Sequence, residues 1–161
     1  MDPFTILAAV GTTLKIVKEI CEGLQWMQRV YESMTNGDKV LQSIALECNI
    51  YGESIKAIGH WLKNNRGATG LKRQMRTTQN AITLVQCSMA NLLLDLKKCQ
   101  ETGDKSSVKK ISKDKLNIKM FQQFILNATK QQWFQETMRI HLVELRAHAA
   151  TLHLTLGVIE L

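Results

Sequence analysis

The chain has 161 residues, of which 45% are hydrophobic and 6% aromatic, and it carries a formal net charge of +7. This length suits a single domain with its own buried core. No stretch reaches eighteen apolar residues, which excludes an ordinary membrane-spanning helix. The positive charge favours an anionic partner, and on charge alone nucleic acid, an anionic membrane surface and an acidic protein all remain open.

Helical periodicity starts almost at the first residue. Apolar residues recur at steps of three and four, which predicts a first helix from Pro3 to Met34. The only proline, Pro3, suits the first turn of a helix, where its missing N–H costs nothing. Asn36-Gly37 predicts a turn, and Asp38 is then a candidate N-cap for a second helix that ends near Leu62.

Three further helices follow a turn over residues 64–70, in which Thr69 is a candidate N-cap. The third helix has the cleanest apolar pattern, from Leu71 to Cys99. A lysine-rich connector then leads to a shorter helix over about 116–128. The last helix runs from about Gln131 to the end of the chain, and these final two alternatively form one kinked helix.

The predicted fold class is therefore all-α, an up-down bundle of four to five long amphipathic helices. The steps of three and four predict helices that pack about 20° from antiparallel. We expect a single domain over residues 1–161. The apolar stripe of the last helix still runs at Leu161, which predicts that this domain is the N-terminal module of a longer protein.

Motifs for catalysis and cofactor binding are missing from the sequence. The glycines form no phosphate-binding loop, and no Gly-x-Ser-x-Gly nucleophile elbow occurs. The strongest metal candidate is a group on the last helix: His141, Glu144, His148 and His153. A di-metal bundle needs further carboxylates, and the first three helices offer no inward glutamate. We therefore expect histidines at the core edge, no metal, no cofactor and no enzymatic activity.

The four cysteines, Cys21, Cys48, Cys87 and Cys99, form no Cys-x-x-Cys pair. Three of them, Cys21, Cys48 and Cys99, fall on or beside apolar stripes, where a free cysteine acts as a small hydrophobe. This pattern predicts free thiols in a reducing, intracellular setting, without disulfides or zinc.

An apolar N-terminus and a group of cations are expected at the same end of the bundle. Five cations, with no acid between them, surround the turn between the second and third helices: Lys63, Arg66, Lys72, Arg73 and Arg76. Each cation near an anionic membrane contributes about 1 kcal/mol of attraction, and apolar side chains then enter the interface. The pairing predicts anionic lipid contact, although solvated basic loops would give the same pattern.

A second basic cluster lies between Lys105 and Lys119, at the opposite end, and is relieved by Asp104 and Asp114. Neither cluster is accompanied by a helix-turn-helix signature, zinc-ligand spacing or an aromatic stacking platform. We therefore expect no specific nucleic-acid partner.

The two ends of the chain carry a family resemblance. The opening sequence MDPFTILAAVG, the long amphipathic helix that follows, and a last helix with Trp133 and LRAHAATLHLTL at 145–156 resemble the HeLo-like N-terminal domains of fungal NOD-like STAND receptors. The resemblance implies a cell-death effector or signalling domain that precedes a nucleotide-binding domain in the same chain. It also implies self-association, and relocation from the cytoplasm to the plasma membrane on activation.

Carried onto this sequence, the resemblance implies a membrane-active segment from Pro3 to about Val17. Its inserting side chains would be Phe4, Ile6, Leu7, Val10, Leu14 and Val17. Lys15, Lys18 and Glu19 interrupt the apolar run early, and about twelve residues span only about 18 Å of a hydrocarbon core about 30 Å thick. Such a helix is expected to lie in the interface or line a pore.

Two alternatives stay open at this point. The first alternative to a membrane effector is a non-enzymatic oligomerisation or autoinhibitory module, whose stripe docks partner helices without any membrane activity. Gly11 within the first helix is expected to allow close helix packing, and the alternative is a hinge for release of the N-terminal segment. Without lipid, we expect that segment to be packed against the bundle.

Overall fold

A computed structural model describes residues 3–65, 70–100 and 118–159, and these residues form a helical bundle without strands. The predicted all-α fold class is confirmed. The described part contains five helices, whose bounds are α1 Pro3–Met34, α2 Val40–Asn64, α3 Lys72–Lys98, α4 Ile118–Leu126 and α5 Ala128–Ile159. The candidate cap Thr69 lies outside the described residues.

Long helices run in alternating directions along the chain. Gly59 of α2 lies against Val10 of α1 and Gly52 lies against Val17, so these two helices are antiparallel. Lys97 of α3 pairs with Glu19 and Gln100 contacts Met27. Because the residue numbers of the contacting pairs rise together in both helices, α3 runs parallel to α1.

The fourth long helix, α5, runs antiparallel to α3 and parallel to α2. His148 meets Ser88 and His141 meets Asp95 across α3 and α5, while Tyr51 of α2 donates a hydrogen bond to the Leu145 carbonyl. Within the described residues α1 and α5 each pack along both α2 and α3. The consecutive helices α2 and α3 therefore lie diagonally across the bundle, and two of its four neighbouring pairs are parallel.

The predicted apolar stripes form the core. The stripes of α1 and α3 are buried except for Met34 and Leu71, which are half-buried. In α2 every residue of the stripe is buried: Leu41, Ile44, Cys48, Tyr51, Ile55, Ile58 and Leu62. The largest side chains that are completely buried are Tyr31, Tyr51, Phe121 and Phe134. This burial is the main source of stability, since removing apolar surface from water contributes about 25 cal/mol per Å².

An aromatic cluster closes the end of the bundle where α1 ends and α5 begins. Phe121 of α4 packs edge-on against Trp26 at 5.6 Å and against Phe134 at 5.7 Å between ring centroids. Phe134 also contacts Tyr31 at 5.2 Å. These contacts place α4 against α1 and α5, although α4 is only nine residues long.

Two breaks between helices have clear local causes. Asn36 and Gly37 adopt positive φ values of 45° and 80°, as the predicted turn requires. Lys39 is the N-cap residue of α2, so the predicted cap at Asp38 is one residue too early, although the Asp38 carboxylate accepts a hydrogen bond from the Val40 N–H at 3.0 Å. Asn127 separates α4 from α5, since its side chain accepts the Lys130 N–H at 3.1 Å in the manner of an N-cap. The last two helices are thus distinct.

Candidate functional site

The candidate membrane-active residues of α1 lie at three different depths. Ile6, Val10 and Val17 are buried, with exposed fractions of 1%, 4% and 5%. Leu7 and Leu14 are half-buried. Phe4 is 62% exposed. The expectation of a packed N-terminal segment agrees with this arrangement, and the inner three side chains all reach a membrane only if α1 leaves the bundle as far as Val17.

Close contacts with α2 hold the first half of α1. A Cβ built on Gly59 would stand 3.2 Å from Cγ1 of Val10, so the two helices touch there. Gly52 makes a looser contact with Val17, at 3.6 Å. Thr13 interrupts the buried stripe, and its hydroxyl donates to the Ala9 carbonyl at 2.7 Å. A polar group that satisfies itself within α1 needs no partner from α2, which makes this segment easier to separate.

Gly11 corrects an expectation. Its backbone is exposed, and an added Cβ would meet nothing within 4 Å. Close helix packing therefore does not explain this glycine, and that interpretation is wrong. A glycine in an open part of a helix weakens the helix by about 1 kcal/mol relative to alanine, so Gly11 is a weak point between the first two turns and the rest of α1.

Four of the five candidate lipid-contacting cations are described, and all four are exposed: Lys63, Lys72, Arg73 and Arg76. Arg66 lies outside the described residues. Within the described part of the chain these four form no ion pair. Because α2 ends and α3 begins beside the start of α1, the four cations and Phe4 share one end of the bundle. We call the four side chains the cationic end.

Acidic residues are missing from this whole side of the bundle within the described residues. No Asp or Glu occurs in 3–18 of α1, between Glu53 and Asp95 on α2 and α3, or after Glu144 on α5. The described carboxylates lie near the middle of the bundle, as Glu53 and Glu144 do, or in the opposite half. Asp2 and Glu160 lie outside the described residues. This segregation was missed by sequence reasoning, although the acid-free stretch from Ser54 to Leu94 was a visible signal.

The second basic cluster has a different outcome. Its lysines at 105, 109, 110, 113 and 115 lie outside the described residues, and Lys119 is exposed at the start of α4. That cluster therefore supports no structural argument.

His141 and His148 of α5 each interact with a different side chain of α3. His141 is buried and its Nε2 lies 2.6 Å from an Asp95 carboxylate oxygen. His148 pairs with the Ser88 hydroxyl at 2.6 Å, and Glu144 and His153 are exposed. Over the described ranges, no group of three or more His, Cys, Asp or Glu side chains could hold a metal ion. The polar pairs fix the register of α3 against α5.

The cysteines are free, and burial governs their chemistry. Burial raises the pKa of the Cys99 thiol to about 12 and also raises the pKa of Cys48. The pKa of Cys21 is raised by partial burial and by nearby Glu22. Since the thiolate is the reactive form, these three thiols are poor nucleophiles. Cys87 is the exposed member of the set.

The chain has no detectable similarity to known proteins. No protein-family model matches the chain, and no curated protein or solved structure matches it either. None of the helices in the described residues combines the length and apolar character that crossing a membrane requires.

Proposed function

We propose that this chain is a non-enzymatic membrane-targeting domain, the effector or signalling module of a fungal NOD-like receptor. The cationic end first binds anionic lipid, and the first turns of α1 then leave α2 and enter the interface. Cell death, or a signal that leads to it, follows from this membrane contact. The observation that carries the proposal is the coincidence of an acid-free, cationic surface with the apolar start of the N-terminal helix.

Electrostatics supports the first step. Lys63, Lys72, Arg73 and Arg76 project from one end without competing carboxylates, so the local field attracts anions at long range. An apolar side chain at the same end, Phe4, is 62% exposed. The resemblance of residues 1–11 and 145–156 to HeLo-like domains supports the same function.

The test compares two variants that lose the same charge. K72Q/R73Q/R76Q removes three cations of the cationic end, and R29Q/K119Q/K130Q removes three exposed cations near the opposite end. At about 1 kcal/mol per cation, the first variant should lose about two orders of magnitude in affinity for anionic vesicles at low salt. The second should keep most of its affinity. Vesicle flotation and dye leakage measure both properties.

Lipid composition and Phe4 complete the design. Leakage should require anionic lipid, and F4D should reduce leakage while circular dichroism shows an unchanged helical content. Equal losses from both charge variants would show that net charge alone matters. No binding or leakage by the folded chain at micromolar concentration would reject the membrane proposal.

One observation favours the alternative function, a protein-interaction module without membrane activity. The outer face of α5 exposes several large aliphatic side chains, among them Val143 at 67% and Leu154 at 73%. This surface lies on the outer face of α5, and membrane insertion of α1 gives it no role.

A further inference from the structure

The outer face of α5 is apolar along more than half of the helix. Six exposed residues follow one another at steps of three and four and form what we call the α5 stripe: Ile140, Val143, Ala147, Ala150, Leu154 and Val158. Such spacing places them on one face, over about 27 Å at 1.5 Å per residue. No charged residue belongs to the stripe.

The opposite face of the same helix is also apolar. Met138, Leu145 and Leu152 are completely or almost completely buried in the core. A helix at the surface of a bundle normally has one apolar face and one polar face. The large members of the α5 stripe are instead exposed, Ile140 to 61%, Val143 to 67%, Leu154 to 73% and Val158 to 40%. Such exposure is typical of a surface that binds another protein.

The order of side chains along the stripe suits a second copy of the same chain. If two α5 helices pack antiparallel about a point between Ala147 and Ala150, each alanine faces the other alanine of the partner copy. Val143 then faces Leu154, and Ile140 faces Val158. The small residues at the centre allow close approach, and the larger ones fill the space on either side. A twofold contact requires this kind of self-complementary surface.

The charges beside the stripe argue against a membrane as its partner. Arg139 pairs with Asp38 at 3.5 Å and Arg146 pairs with Glu47 at 3.7 Å, both carboxylates of neighbouring parts of the bundle. Their charges are therefore compensated, unlike those of the cationic end. Glu136 and Glu144 are exposed nearby and would repel an anionic bilayer.

The neighbouring helix α3 widens the surface. Leu94 is 59% exposed and lines a shallow depression together with Ile140. Covering these five large side chains and two alanines in both copies removes on the order of 1,000 Å² from water, which is the lower bound for a specific interface. We propose that two copies of the chain associate through the α5 stripe in an antiparallel twofold contact, with micromolar affinity. This inference does not depend on the membrane proposal.

Sedimentation velocity over about two decades of micromolar concentration tests the association. The unmodified chain should pass from monomer to dimer, and V143E should stay monomeric because its carboxylate would face Leu154 of the second copy. L46E is the matched control, since Leu46 is 60% exposed but lines a groove between α1 and α2. It should dimerise like the unmodified chain.

A charge pair tests the antiparallel register. L154K alone should also be monomeric, whereas the double variant V143E/L154K should dimerise again, because each new carboxylate faces a new ammonium group. Circular dichroism checks that every variant is folded, and if V143E is not, L154K and L46E carry the comparison. A monomeric unmodified chain, a dimer that survives both single variants, or an equal loss in L46E would overturn the proposal. So would a monomer whose stripe binds neutral vesicles.

Discussion

Single polar residues determine how the long helices align. His141 with Asp95 and His148 with Ser88 pin α5 against α3, and the Tyr51 hydroxyl pins α2 to the backbone of α5. Buried polar groups that lack such partners cost about 1–3 kcal/mol each, so these pairs penalise any slip in register. Packing thus explains His141 and His148, whose place at the core edge was expected, whereas His153 is exposed.

Thiol reactivity should separate the four cysteines. In the folded chain at pH 8, Cys87 should react with Ellman's reagent first, because it is exposed. Cys48 and Cys99 should react only on unfolding, since burial raises their pKa values and blocks access. Cys21, which is half-buried, should react slowly.

The variant C87S should therefore lose the fast phase and keep the others. Fast modification of two or more thiols in the folded chain, or a fast phase that persists in C87S, would contradict this assignment.

At the scale of the element, α1 consists of two unequal parts. Its second half contributes Leu24, Met27 and Tyr31 to the core, all of them 1% exposed or less. Its first turns contact α2 through Val10, and Gly11 lies between Val10 and Thr13 in an open part of the helix. A release that stops near Gly11 would keep most of the core intact.

Alanine at Gly11 should stabilise the resting domain and reduce its membrane activity. The substitution removes the helix penalty of glycine, about 1 kcal/mol, and leaves no flexible point for the first turns. Gly23 is the control, because it lies in the same helix and an added Cβ would also meet nothing within 4 Å.

Thermal or urea unfolding should show similar gains for G11A and G23A. Dye leakage should fall more in G11A. An equal fall in both variants would mean that overall stability limits leakage and that Gly11 has no role as a hinge.

At the scale of the molecule, the two ends of the bundle differ in charge. The described carboxylates lie near the middle of the bundle or in the half that contains the end of α1 and the start of α2, and the other half carries the cationic end. This polarity would orient the domain on an anionic surface with the start of α1 towards the lipid.

A disulfide between α1 and α2 tests whether this orientation leads to release. Because a Cβ on Gly59 would lie 3.2 Å from Cγ1 of Val10, the variant V10C/G59C has a geometry close to that of a disulfide. When oxidised it should bind anionic vesicles without leakage, and reduction should restore leakage. V10C alone should leak under both conditions, and full leakage by the oxidised double variant would mean that α1 stays in place.

The local features of the fold were predicted well from the sequence. The steps of three and four identified the buried stripes, since a helix repeats every 3.6 residues whatever surrounds it. The turn at Asn36-Gly37 follows from positive φ values, whereas the N-cap of α2 is Lys39 and not the predicted Asp38. The α4–α5 boundary was less certain, because the side chain of Asn127 determines it and no proline or glycine marks it.

By itself, the sequence determined that this protein is an all-α bundle whose N-terminal helix is apolar, because helix periodicity is encoded among near neighbours. Only the tertiary structure decided which surfaces remain exposed. Three features depend on residues far apart in the chain. They are the diagonal placement of α2 and α3, the ion pairs of Arg139 and Arg146 with α2 and its N-terminal turn, and the open space around Gly11. Periodicity along one helix contains no information about which neighbour covers each face.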